Sequence, residues 1–234
     1  MNTITIPDLH GRNNWKEIDP DKYDKIIFIG DYLDSYHLPN DDITNNLLDI
    51  IEFKKKYSKK VILLLGNHEL QYYFVSSKYG CSGYRYSMYH VIHSILQKEK
   101  KLFKAAHSEV TEEFTYLWTH AGVHQDWYYN HFYPTIKEDE VLLESTLAEQ
   151  FNNQFLVENP TLFQVGYLRG GYSSVGGIFW ADKLKTQDKP MHLIRQIVGH
   201  TPVPEITTVD FDYFTSITYV DNIEKSKELY NLII

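Results

Sequence analysis

The sequence predicts an α/β fold, and three observations predict it. Short apolar runs recur, and each stops at a group of polar residues. Segments with a helical period separate several of them. The stretch from Thr207 to Ile234 instead reads as strands and turns, which adds an antiparallel contribution and a second sheet. Strands that alternate with helices imply an α/β core. In such cores the ligand sits outside the carboxyl ends of the strands.

The first apolar run, Thr3–Ile6, ends in Pro7-Asp8-Leu9-His10-Gly11. The second, Lys25–Ile29, ends in Gly30-Asp31-Tyr32-Leu33-Asp34. A helix should follow, capped by Asn40 or Asp41, with Ile43, Leu47, Ile50 and Ile51 on one face. Its lysine-rich end at 54–60 reads as a solvated terminus favouring the helix dipole. Val61–Leu65 ends in Gly66-Asn67-His68-Glu69. A second helix fits Tyr84 to about Lys98, and a third about Glu138 to Asn152. Phe114–Thr119 ends in His120-Ala121-Gly122, and Gln196–Val198 in Gly199-His200-Thr201-Pro202. These runs are continuous rather than alternating, the pattern of strands buried on both faces. After them come strands at Thr207–Asp210, Ser216–Val220 and Glu228–Ile233, with a turn at Asp221-Asn222.

Composition narrows the function. The 234 residues suit one domain, spanning 1–234, with a helical and loop insertion at about 121–175. The net charge of −8 argues against stable binding to nucleic acid or to an acidic membrane. One cysteine, Cys81, excludes a disulfide framework and a cysteine-rich zinc site. No apolar run approaches the ~18 residues of a membrane span. The first residues lack the basic start and apolar stretch of a secretory signal, so a cytoplasmic location is expected.

The strand ends collect Asp8, His10, Asp31, Asp34, Asn67, His68, His120 and His200. Carboxylate, amide and imidazole ligands suit manganese first, with iron, zinc, nickel or cobalt also accommodated. Two metals need a bridging carboxylate with ligands on either side. Asp31 is the central candidate for the bridge. Asp8 and His10, two apart on an extended segment, would serve one metal; Asn67, His120 and His200 would serve the other. His68 should project beside the metals as a general acid, oriented by Asp34.

This order of blocks, D-x-H, G-D-x-x-D, G-N-H-E and two later histidines, closely resembles the calcineurin-like metallophosphoesterase superfamily. The resemblance runs from Asp8 to His200, most of the chain. The DLHG, GNHE, HAG and GHTP details are similar to the phosphoprotein phosphatase branch, including symmetrical diadenosine tetraphosphatases. It implies a two-sheet β-sandwich flanked by helices in four layers, αββα. It also implies two divalent metals, one on Asp8, His10 and Asp31, the other on Asp31, Asn67, His120 and His200. A second histidine two residues past His200, common in the superfamily as a further ligand of the first metal, is Pro202 here, so water should complete the shell of that metal. Phosphoprotein phosphatases have arginine where this chain has Ser35. Among the four arginines, Arg169 and then Arg12 are the candidates for holding phosphate, beside Asn67.

The expected function is therefore hydrolysis of phosphomonoesters by in-line attack of a hydroxide bridging the metals. The expected partner is a phosphoprotein, on phosphoserine or phosphothreonine, or a small phosphoester; the oligomeric state is left open. A diadenosine polyphosphate hydrolase is the alternative, and a silent metal-holding interaction module the non-enzyme one.

Overall fold

A computed structural model describes residues 1–74, 80–133, 145–222 and 228–234. Ten strands form two five-stranded sheets. The first sheet has the order β10-β1-β2-β3-β4, from Tyr230–Ile233, Asn2–Ile6, Lys25–Phe28, Val61–Leu64 and Phe103–Lys104. β1 to β4 run parallel and β10 is antiparallel. The second has the order β5-β6-β7-β9-β8, from Ala106–Val110, Thr115–Thr119, Ile194–Val198, Ser216–Tyr219 and Thr207–Asp210. Its three central strands, β6, β7 and β9, are parallel, and antiparallel β5 and β8 edge them.

The continuous apolar runs have two buried faces to fill. Ile27, Ile29, Ile62 and Leu64 of the first sheet meet Tyr116, Trp118, Ile197 and Val220 of the second. Trp118 Nε1 donates to Thr5 Oγ1 at 3.0 Å, so this interface also satisfies its one indole donor. The alternate residues Ile26, Phe28, Val61 and Leu63 pack on Ile43, Leu47, Ile50 and Ile51 of α1 (Asn40–Lys56). Ile92 and Leu96 of α3 (Tyr89–Lys98) join the same cluster. α2 is Asn67–Tyr73. Helices α4 (Gln125–His131) and α5 (Leu147–Leu156) bring Trp127, Phe151 and Phe155 onto Leu117 and Phe179. α6 is Lys183–Asp188. The result is a sandwich with helices outside, the expected α/β architecture.

Several boundaries differ from the sequence reading. α1 begins at Asn40 with Pro39 at its cap position, so neither Asn40 nor Asp41 caps it. Asn40 is held sideways instead: its Oδ1 accepts from Arg85 Nη1 and its Nδ2 donates to Ser87 Oγ. α3 starts at Tyr89, not Tyr84; a 3-10 turn at Tyr86–Met88 precedes it, and its apolar period begins only at Met88. α5 is capped by Thr146, whose hydroxyl takes the Glu149 N–H while Glu149 takes the Thr146 N–H. The earlier part of the helix expected at 138–152 lies outside the described residues. The C-terminal strands do not stay together: β8 and β9 extend the second sheet, and β10 crosses to the first.

Parallel β1, β2 and β3 end at one edge, as do β6, β7 and β9. Gly199 N–H donates to His120 O and His200 N–H donates to Asp8 Oδ2, so the two carboxyl edges meet.

Candidate metal centre

The loop after β1 does not stay extended. His10 has φ 46°, and both Leu9 N–H and His10 N–H donate to Asp31 O. His10 is therefore aimed at Asp31 by a turn, rather than by the alternation of a strand, and the Asp8 carboxylate falls in none of the donor clusters among the described residues that are close enough to share an ion. Asp31 has φ 51°, Asp34 62° and His200 63°. Four of the six described non-glycine residues with positive φ are thus predicted site residues. Such strain gathers where side-chain aim matters more than backbone comfort.

Asp31 sits at the middle. His120 Nε2 lies 3.4 Å from its Oδ2, and His10 Nε2 and His68 Nε2 lie 3.9 Å away on the other side. Burial alone would raise this carboxyl, but His120, His68 and His10 hold it well below its ordinary range. Asn67, the first residue of α2, places Oδ1 2.8 Å from both His120 Nε2 and His200 Nδ1. Asp8 is 1% exposed; Oδ2 accepts the His200 N–H, and Oδ1 is buried without a partner among the described residues. Burial, then Asp221 and Asp31, raises the Asp8 carboxyl well above its ordinary value.

This donor set fits metal ions. His120 Nδ1 faces Ile29 O at 3.0 Å and His10 Nδ1 faces Leu33 O at 2.9 Å. A carbonyl only accepts, so both Nδ1 atoms carry the proton, and in the neutral rings Nε2 is the lone pair left for a metal. Metal-binding histidines are held this way. Around His120 Nε2 the neighbours at hand, Asn67 Oδ1 and Asp31 Oδ2, are acceptors too. Oxygen and nitrogen lone pairs facing one another call for a cation. Two of the clusters that can hold an ion share Asp31: His10, Asp31 and His68, and Asp31, His120 and His200.

His68 N–H donates to Asp31 Oδ1, and its Nδ1 lies 3.0 Å from Asp34 Oδ2. Asp34 also accepts from Tyr72 Oη at 2.6 Å and from Gln71 Nε2, so its place is fixed from three sides. Burial would lower the His68 pKa, but Asp31 and Asp34 carry it well above the ordinary value.

A cavity of about 630 Å³ opens over these groups. Its wall includes His10, Asp31, Asn67, His68 and His200, and also Arg12 and Arg169. Arg169 ends a 3-10 turn, Tyr167–Arg169, stopped by left-handed Gly170, and its Nη2 donates to Thr201 Oγ1 at 2.5 Å. Arg12 Nη1 donates to Leu9 O at 3.1 Å. The other two arginines are occupied elsewhere: Arg85 donates to the Ser35 and Leu38 carbonyls, and Arg195 covers the Phe114 ring. His124 caps α4 by accepting from Asp126 N–H and Trp127 N–H.

Three residues escaped the sequence reading. Glu69 accepts the N–H groups of Asp31, Tyr32, Leu33 and Gly66, and so clamps two site loops together. Its place three residues after Gly66, at the start of a helix, was the available signal. Cys81 lies in the cavity wall with Sγ 3.9 Å from Asn67 O, and burial raises its thiol pKa. Asp221 lines the cavity as well.

Comparison with known proteins adds three findings. The family model for calcineurin-like phosphoesterases matches residues 6–213. The crystal structure of a cold-active protein-tyrosine phosphatase from a psychrophilic Shewanella superposes with a TM-score of 0.56 at 16% identity, covering 99% of this chain and 75% of that one. A second structure of a cold-active protein tyrosine phosphatase gives 0.57 at 16% identity, covering 99% and 73%. At such identity the likeness is one of fold. No curated protein matches.

Proposed function

The chain belongs to the calcineurin-like phosphoesterase family, and from that premise we propose that it hydrolyses phosphomonoesters, with phosphoserine or phosphothreonine in a polypeptide as the leading substrate. The coarser statement needs no proposal: it is a metal-dependent phosphoesterase, and its substrates are phosphorylated. The observation that carries the finer reading is the pair of guanidinium groups, Arg12 and Arg169, in the wall beside the Asp31 clusters. A monoester dianion has more charge to neutralise than a diester, and planar guanidinium groups match its oxygens.

In this reading Asp31, with Asp8 and His10, would hold one divalent cation, and Asp31, Asn67, His120 and His200 would hold a second. When bound, the pair supplies Lewis acidity, neutralising phosphoryl charge and acidifying water. Arg169 and Arg12 orient the ester and stabilise charge on its equatorial oxygens. Asp34 accepts a hydrogen bond from the Nδ1–H of His68, which leaves Nε2 to face the cavity. From there His68 protonates the departing alkoxide. Tyr72 and Gln71 keep Asp34 in place while this happens.

A panel of phosphoserine, phosphothreonine and phosphotyrosine peptides, diadenosine tetraphosphate and bis-p-nitrophenyl phosphate, run with Mn²⁺, tests the reading. Phosphotyrosine belongs in it because the similar Shewanella structure is that of a protein-tyrosine phosphatase. The phosphoserine and phosphothreonine peptides should be turned over fastest. A kcat/KM that favours diadenosine tetraphosphate or the diester would contradict it.

A further inference from the structure

The cavity wall holds a third group of donors, apart from the two clusters that share Asp31. Asp34, His68 and Cys81 each bring one ligand atom to a spot where these atoms lie within 4.8 Å of one another. All three line the cavity, so the group is open to ions from solvent. They come from three segments of the chain, and Gln71 ties two of them together. Its Nε2 donates to Asp34 Oδ2, and its Oε1 accepts the Cys81 N–H at 3.0 Å. Gly83, two residues after Cys81, has φ 82°, and a Cβ there would stand 3.2 Å from Asp34 Cβ. The loop that carries Cys81 is thus shaped to approach Asp34 closely. The thiol hydrogen-bonds with His68, and Sγ stands 3.9 Å from Asn67 O.

We propose that Asp34, His68 and Cys81 form an inhibitory zinc site, whose ion takes the general acid out of use. The inhibition rests on the reading of His68 as that acid; the binding rests on the donor set alone. Thiolate, imidazole and carboxylate are the ligand types of tetrahedral zinc, and three of them leave the fourth position to water. Ligands on one zinc stand about 3.3–3.8 Å apart, so side-chain shifts of about an ångström close the group onto an ion. The sulfur sets the preference. Thiolate favours Zn²⁺ over Mn²⁺, whereas the clusters around Asp31 hold oxygen and nitrogen donors alone. On binding, the thiol gives its proton to solvent, and His68 gives a ring-nitrogen lone pair to the ion. Whichever ring nitrogen binds, the imidazolium that would protonate the alkoxide is gone.

The chain has one cysteine, so any sulfur–metal signal reports this site. Mn²⁺-loaded protein is titrated with Co²⁺, a spectroscopic stand-in for Zn²⁺, and then with Zn²⁺. A thiolate-to-cobalt charge-transfer band should grow to one ion per chain, and Zn²⁺ should abolish it. Zn²⁺ should also slow hydrolysis of an alkyl phosphomonoester more than that of p-nitrophenyl phosphate, whose leaving group scarcely needs a proton. Cys81→Ser should show no band and need at least about tenfold more Zn²⁺ for the same inhibition. Wild type without a sulfur band would overturn the proposal. So would a Cys81→Ser variant inhibited at the wild-type Zn²⁺ concentration, or equal slowing of both substrates, since these mark displacement of Mn²⁺ instead. If His68→Asn keeps full turnover of the alkyl ester, the general-acid reading fails and the inhibitory role with it, while the band still decides whether the site binds an ion.

Discussion

Left-handed backbone at His10, Asp31, Asp34 and His200 costs on the order of 1–3 kcal/mol at each position. The loop bonds over-determine these turns: Asp31 O accepts two N–H groups, and Asp8 Oδ2 accepts another from His200. That expenditure aims side chains at one point, and each side chain then has a separable job. His68 is held by Asp34 through Nδ1 and touches the Asp31 carboxylate only through its backbone N–H and at 3.9 Å. His68→Asn should therefore keep metal binding and lose about 10²–10⁴ in kcat. The loss should be smallest for p-nitrophenyl phosphate, whose leaving group scarcely needs a proton. Steady-state kinetics on aryl esters of graded leaving-group pKa checks this; an equal loss on all of them would speak against a general acid. Arg169→Ala should reduce kcat/KM for monoesters at least about tenfold, on the order of 1.4 kcal/mol. Unchanged kinetics would move the phosphate contact to Arg12.

At the scale of elements, the site depends on how strand ends are tied to one another. Glu69, in the first turn of α2, takes four N–H groups from the loops after β2 and β3. A glutamine there has one acceptor oxygen, and its amide N–H₂ would face backbone donors. Glu69→Gln should cost about 2–3 kcal/mol. For a chain of this size that lowers Tm by roughly 5–10 °C in a thermal melt. A variant with wild-type Tm would show that the clamp is dispensable. Glu69 also shows why part of the site was not legible. The partners of its carboxylate at Asp31 to Leu33 lie 36 to 38 residues away. Periodicity and composition do not reveal such a pairing. By contrast, each apolar strand carries its polar end in the same few residues, so β1, β2, β3, β6 and β7 and the residues after them could be read locally. β4 is two residues long and one of them is exposed, too short for any pattern to form. α3 was read too long because Tyr84 and Tyr86 look apolar by type yet stand exposed outside the helical period.

Across the whole molecule, function rests on two sheets presenting their carboxyl edges to each other. The inter-sheet core of Ile27, Leu64, Trp118 and Ile197 sets their spacing. The meeting line brings Asp8 to His200 across 192 residues. Block order along the chain foretold that these residues belong together; it did not foretell Asp221. Its approach depends on β9 lying beside β7 while β8 turns outward, a strand order the sequence does not announce. β10 likewise pairs with β1, register Asn2 to Ile233, where the C-terminal strands read as one group. No described helix is long and apolar enough to cross a bilayer. What the assembled edge offers is two donor clusters that share Asp31 and could each hold a cation. The most direct measurement is anomalous scattering from a crystal soaked in Mn²⁺. Two manganese peaks should flank Asp31, one against Asp8 and His10 and the other against Asn67, His120 and His200. A single peak, or none near Asp31, would contradict the account.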